Sequence, residues 1–313
     1  MKHKSKSFFL FLPPKIYSMK QTIFFSLIIS LFLASCGTPK LMVHHDQLAM
    51  QSADSGNYKQ AIAEWETYIN TQKTNGDTIL PKAYAEMGKA YFHLKNYPKA
   101  EASFDMARDN SYADPEMYAM MQQRYQSINN LSKEITVLEY YREHFSQEKD
   151  SSMMRNRLFE TSLESENWTQ AEEIWAQMDE DSKNSEKYLE IYFVMNKDLE
   201  NKDKCDEIAQ QLLKVNSNNI MGLNWLAKKY YYLGENRYQS AIKAYNKKKT
   251  SKNYKILLKE LDKSTADYKK SLTYLNVLWK IDSKEKYAIY LANIYARFDD
   301  KKKSQYYKQF ITH

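Results

Sequence analysis

The stretch that decides the fold is Tyr84-Ala85-Glu86-Met87-Gly88-Lys89-Ala90-Tyr91, followed after a short polar turn by Ala100-Glu101-Ala102-Ser103-Phe104-Asp105-Met106-Ala107. In both halves the apolar and small residues recur three and four positions apart, which places them on one face of a helix. Gly88 and Ala100 are small where two such faces meet, so the halves read as two helices packed closely into a hairpin. A shift of 34 residues repeats the pattern: Pro81 with Pro115, Tyr84 with Tyr118, Met87 with Met121, Tyr91 with Tyr125, Phe104 with Leu138. Pro81 and Pro115 suit the first turn of a helix, where a missing N–H costs nothing, and Asp114 suits an N-cap.

The unit Tyr84-x2-Met87-Gly88-x2-Tyr91, then Ala100-x3-Phe104-x2-Ala107, resembles the tetratricopeptide repeat, with Tyr84 in place of the usual Trp. The resemblance implies an all-α fold, a right-handed superhelical solenoid of helix pairs; the alternative on the same pattern is an unrelated α-solenoid. Gly56-Asn57-Tyr58-x2-Ala61-Ile62-x2-Trp65 marks the turn and second helix of a first repeat. Asn167-Trp168-x2-Ala171-x3-Trp175 marks the second helix of a fourth, and residues 188–195 and 205–215 form a weaker fifth pair. Leu226-Ala227-x2-Tyr230-Tyr231-Tyr232-Leu233-Gly234 is the first helix of a sixth, and Leu291-Ala292-x2-Tyr295 belongs to a seventh.

One segment breaks the period. After Gly234 a second helix is due near residue 237, yet its best match is Tyr268-x2-Ser271-Leu272-x2-Leu275. The residues between lack Gly and Pro. Tyr254, Leu258, Leu261, Thr265, Tyr268, Leu272, Leu275 and Trp279 step by four and three, the spacing of a heptad seam. The reading is a helical hairpin with its tip at Lys247-Lys248-Lys249-Thr250-Ser251-Lys252-Asn253. The chain therefore divides into a signal (1–35), a lipidated linker (36–42), repeats one to five with the first helix of the sixth (43–236), a basic helical-hairpin insertion (237–267), and the rest of repeat six with repeat seven (268–313).

Composition agrees with helices and disfavours turn-rich folds. Only 6 Gly and 6 Pro are present, against roughly 22 and 16 for average usage. The formal charge of +7 is unevenly spread. Residues 46–236 hold 21 bases and 32 acids, whereas 237–313 hold 19 and 7. A basic helical arm suits anionic lipid or an acidic protein, and the plain alternative is a solvated lysine surface. Nucleic acid is not expected as a partner of a secreted chain.

Met19-Lys20-Gln21 precedes an apolar run ending in Leu33-Ala34-Ser35-Cys36-Gly37. A basic start, a short apolar core and small residues describe a secretory signal, with Met19 the expected start of translation. Leu-Ala-Ser-Cys resembles the lipobox of bacterial lipoproteins, of Bacteroidetes type in this repeat-bearing layout. That resemblance implies diacylglycerol and an acyl chain on Cys36; Gly37 favours the outer membrane, and the lack of an acidic run after Cys36 favours the periplasmic face. No other cofactor is expected. The alternative is a signal anchor with a buried Cys36.

No catalytic motif emerges. His44 and His45 are adjacent, so their side chains diverge, and they read as linker rather than metal ligands. Cys205 lies at a helix-packing position without a neighbouring His and reads as a structural thiol. The expected activity is therefore binding, not catalysis. By the resemblance, first helices line the groove of such arrays, which assigns partner binding to Asn224, Trp225, Lys228 and Tyr231 on repeat six and Tyr290 and Arg297 on repeat seven. Lys247, Lys248, Lys249 and Lys252 form the second candidate surface. The expected role is a membrane-anchored scaffold for peptides or proteins in the cell envelope. The alternatives are a component of outer-membrane protein assembly, in the layout of the repeat lipoprotein of the β-barrel insertion complex, and a cell-wall enzyme or its activator.

Overall fold

The computed structural model describes residues 44–311. The signal, the lipobox with Cys36 and the linker through residue 43 lie outside the described residues, as do 312–313. Among the described residues there is no strand. Seven helix pairs follow in chain order: α1 (His45–Asp54) with α2 (Tyr58–Asn75), α3 (Pro81–His93) with α4 (Tyr97–Asp109), and α5 (Pro115–Ser127) with α6 (Leu131–His144). Next come α7 (Ser151–Glu164) with α8 (Trp168–Gln177), the short α9 (Glu180–Lys183), and α10 (Glu186–Asp198) with α11 (Lys202–Val215). Then α12 (Ile220–Lys247) pairs with α13 (Ser251–Ile281), and α14 (Glu285–Arg297) with α15 (Lys301–Lys308). Successive pairs stack on one another, so the protein is an all-α solenoid of tetratricopeptide type.

The pairs owe their tightness to small residues at the crossings. A Cβ on Gly88 of α3 would stand 2.6 Å from two ring carbons of Phe104 on α4, so only glycine admits this approach. Between pairs the buried residues join into a continuous core from Ala49 through Leu212, and a second cluster fills repeats six and seven. Helix α12 bridges them, giving Leu226 to the first cluster and Leu223, Ala227 and Tyr231 to the second.

Six of the seven hairpin turns share one chemistry. Gly56, Lys95, Asn129, Glu166, Glu200 and Asp299 all have positive φ, between 53° and 74°. Each is followed by the N-cap of the next helix: Asn57, Asn96, Asn130, Asn167, Asn201 or Asp300. Four of these caps accept a backbone N–H three residues on, as Asp300 does from Lys303 at 3.0 Å. Four residues past the cap lies a buried helix-packing position: Ala61, Ala100, Glu134, Ala171, Cys205 and Ser304.

The sixth pair carries the same signal and ignores it. Glu235-Asn236 with Ser240 four residues later matches Glu200-Asn201 with Cys205, yet α12 runs straight through. The reason is tertiary. The Glu235 carboxylate accepts hydrogen bonds from Arg297 of α14 (2.6 Å), Tyr268 of α13 (2.5 Å) and, one turn on, Gln239 (2.6 Å). Neither helix breaks at 236–237 or at 267–268, so the arm is the far end of two long helices, and its returning half runs on into the second helix of repeat six.

The seam along α13 also differs from the heptad in the sequence. The positions facing α12 are Leu257, Leu261, Ser264, Tyr268, Ser271, Leu275 and Leu278, with Leu261 half-buried and the rest buried. Leu258, Thr265, Leu272 and Trp279 lie one residue off, on the flank. Two serines displace the larger residues because their hydroxyls reach the opposite backbone. Ser264 Oγ donates to the Gly234 carbonyl and Ser271 Oγ to that of Ala227, both at 2.8 Å. Helices this close leave no room for Leu272 in place of Ser271. Tyr254 and Leu258 are consequently left 48% and 45% exposed.

Candidate functional site

The structure brings together some of the sequence-assigned binding residues and separates others. Tyr231 is buried, accepts a hydrogen bond from Asn293 at 3.1 Å, and meets the rings of Tyr232 and half-buried Tyr290 edge-on. Arg297 stacks over the Tyr238 ring at 4.0 Å while it binds Glu235. Burial disfavours ionised Glu235, but the bonds from Arg297, Gln239 and Tyr268 outweigh it and hold the carboxyl below the usual range. Tyr231, Tyr290 and Arg297 thus form one aromatic and ionic cluster that joins α12 to α14. Trp225 lies elsewhere: its indole N–H donates to Asp206 of α11 at 2.7 Å, and its ring packs edge-on against Phe193 of α10. Asn224 is half-buried and Lys228 exposed. Lys247, Lys248, Lys249 and Lys252 all stand exposed at the arm tip.

A different surface has the form of a binding groove. A depression of 450 Å³ runs over α7, α10 and α12, floored by Leu163, Ile191, Val194, Met195 and Met221, with Glu190 and Asp198 among its lining residues. Helix α10 builds it by carrying two apolar faces. Leu189, Tyr192 and Phe193 are buried in the core, whereas Ile191 and Val194 point off that face, and Val194 is 44% exposed. On the other side of Met195 and Trp168 a second hollow of 670 Å³ reaches Glu172, Glu173 and Lys204. Sequence reasoning missed this groove because the fifth repeat matches its pattern loosely. The signal was present: an amphipathic helix needs one apolar stripe, and residues 188–195 have too many apolar residues for one.

Buried ionic links fix the helices that frame the groove. Glu134 of α6 has only 2% of its side chain exposed, and Arg157 of α7 binds it through two nitrogens at 2.8 and 3.0 Å. Arg157 also reaches Glu160 and Glu164, and Glu160 in turn binds Lys187 of α10. Farther along, Lys89 is ringed by Glu86, Asp114 and Glu116 at 2.9 to 3.2 Å. Burial works against its charge, but the Glu116 hydrogen bond and the three carboxylates hold its pKa above the ordinary lysine value. These groups bind one another within and between neighbouring helices, so they position the scaffold. His45, read from sequence as linker, begins α1 and places its ring nitrogen 2.7 Å from Glu64. Cys205 is buried with its sulfur 4.0 Å from the Phe193 carbonyl.

No known family profile matches the chain, and no curated protein sequence does. Solved structures of repeat proteins are similar in arrangement. YrrB, described as a TPR protein with an unusual peptide-binding site, is 14% identical; the match covers 66% of this chain and 97% of YrrB, with a TM-score of 0.45. A putative protein-binding protein from Bacteroides ovatus is 13% identical over 82% of this chain and 98% of its own, with a TM-score of 0.43. The C-terminal part of a TPR repeat-containing protein from Cytophaga hutchinsonii is 14% identical over 85% and 93%, with a TM-score of 0.44.

Proposed function

We propose that this protein is a non-catalytic scaffold, held on the periplasmic face of the outer membrane through Cys36, that binds a peptide or protein segment in the groove over α7, α10 and α12. One observation carries the binding reading. Val194 is exposed and Ile191, Leu163 and Met221 are half-buried against the core, so together they form an apolar floor that core packing covers only in part, and floors of this kind accept apolar anchors. With Glu190 and Asp198 at its edge, the groove suits a segment that pairs an apolar side chain with a basic one. The row of first helices is also the face that lines the groove in tetratricopeptide arrays.

Peptides selected on the protein from a random display library test this. They are expected to be rich in apolar-plus-basic pairs, and Val194→Glu should weaken the best of them at least about tenfold, or ~1.4 kcal/mol, by fluorescence anisotropy. Val194 is exposed, so the variant should keep the parent melting temperature. Undiminished affinity would place the bound segment elsewhere.

The anchoring half of the proposal rests on the lipobox. Cys36 lies nine residues before His45, where α1 begins, a reach of at most about 32 Å. Acyl chains contribute about 0.8 kcal/mol per buried CH₂, so two or more hold a protein stably. Cys36→Ala is expected to leave the membrane fraction altogether. A mutant that still pellets with membranes rules out the lipid as the anchor.

A further inference from the structure

The arm formed by the ends of α12 and α13 carries a groove of its own. It holds 470 Å³ between the two helices, with Ser240, Ala241 and Ala244 of α12 facing Ile256 and Leu257 of α13. The position of Ser240 explains why it exists. It falls four residues after Asn236, the place that in every other repeat is a buried residue of a second helix packed against its first. Ser240 and Ala244, one turn apart, thus keep the small-residue face of a second helix, but α12 runs straight and both are exposed.

The charge along the arm is mostly basic, and Glu260, the acid among the groove's lining residues, is already bound by Lys263 at 2.6 Å and lies 3.8 Å from Arg237. Between Glu235 and Glu260 the chain has no acid and eight bases. Seven of these, Lys243 through Lys259, are exposed, and among the described residues none of the seven forms an ion pair or stacks on a ring. Arg237, the eighth, is bound to Asp267. Like charge excludes the arm of a second copy as the occupant. A flat membrane surface fits poorly as well: the tip, residues 247–252, is wholly polar, while Ile256, though 52% exposed, lines the concave seam.

We propose that this groove receives an acidic amphipathic helix from a protein partner, completing a three-helix bundle on the arm. The partner's apolar stripe takes the place that a first helix occupies in the other repeats, and its flanking carboxylates meet the unpaired lysines. The small floor lets its backbone approach closely over about 15 Å, the length of residues 236–245. This site is separate from the groove on α10 and stands whether or not that groove binds a peptide.

The full chain is titrated against three synthetic helices of about 21 residues, long enough to hold helix. They share one Leu/Ala stripe and differ only in flanks of Glu, Gln or Lys. The expected order of affinity is Glu, then Gln, with the Lys helix at least about a hundredfold weaker than the Glu helix. Binding of the Glu helix should fall at least about tenfold from 0.05 to 0.5 M salt, as screening shortens the reach of the lysines. Ala244→Trp fills the groove without touching the core, because Ala244 is exposed. It should cost at least about tenfold in affinity at an unchanged melting temperature, whereas Val194→Glu should cost nothing. Equal binding of the Glu and Lys helices overturns the proposal, as does indifference to Ala244→Trp. Phosphatidylglycerol vesicles that bind the arm more tightly than the Glu helix, and do so regardless of Ala244→Trp, would assign the lysines to lipid and overturn it too.

Discussion

Arg157→Leu is expected to remove about 3–5 kcal/mol of unfolding free energy, read by urea denaturation. The leucine itself is tolerable; what it leaves behind is not. Glu134 keeps only 2% of its side chain exposed, and its remaining hydrogen-bond donor is Gln122 at 2.7 Å. Without the guanidinium a buried carboxylate keeps only the Gln122 amide, and the ionic link from α6 to α7 is cut, while Glu160 of α7 still holds Lys187 of α10. The paired replacement Glu134→Leu with Arg157→Leu should recover most of the loss, since two apolar residues carry no desolvation penalty. Stability in a solenoid is close to a sum over neighbouring repeats. Hydrogen exchange should therefore accelerate in α5 to α8 before it does in α14. A loss below about 1 kcal/mol, the range of exposed pairs, would show that water reaches Glu134.

Gly88→Leu is the second large effect. Its first side-chain carbon alone would lie 2.6 Å from the Phe104 ring, and Phe104 is 1% exposed with nowhere to retreat. Overpacking typically costs about 1–3 kcal/mol and more for a larger intruder, so a drop of about 3 kcal/mol or more is expected. Gly88→Ala should cost less, because alanine gains nearly 1 kcal/mol of helix propensity over glycine while creating the same contact. Combining Gly88→Ala with Phe104→Leu should restore part of the loss. If Gly88→Leu melts at the parent temperature, α3 and α4 are not held at this distance.

The repeat was legible because its signals are local and redundant. Prolines opening α3 and α5, Gly88 opposite Phe104, and an Asn or Asp cap after six of the seven turns all point to the same hairpin. The long arm was legible as well, since its tip and its lack of Gly and Pro are read from the chain. Its seam was not. Leucines at 258 and 272 have the right spacing and the wrong company: Ser264 and Ser271 take the contact because a hydroxyl can bond a helix carbonyl at close range. Trp225 and Tyr231 both read as groove residues of one helix, yet they lie about 120° apart around it, and Asp206 bonds one toward α11 while Asn293 bonds the other toward α14. The apolar floor on α10 escaped notice because a helix with two apolar faces shows no single stripe.

By itself the sequence determined the class of fold, the number of helix pairs and the places where six of them turn. Propensity, capping and small-residue spacing act within a few residues and are written in order along the chain. Only the tertiary structure decided that the seventh turn signal, Glu235-Asn236, would stay helical. The bonds that hold Glu235 come from Tyr268 and Arg297, 33 and 62 residues away, and no local preference at Asn236 outweighs them. That one choice extends α12 into the arm and leaves the face of Ser240 and Ala244 without a helix to cover it.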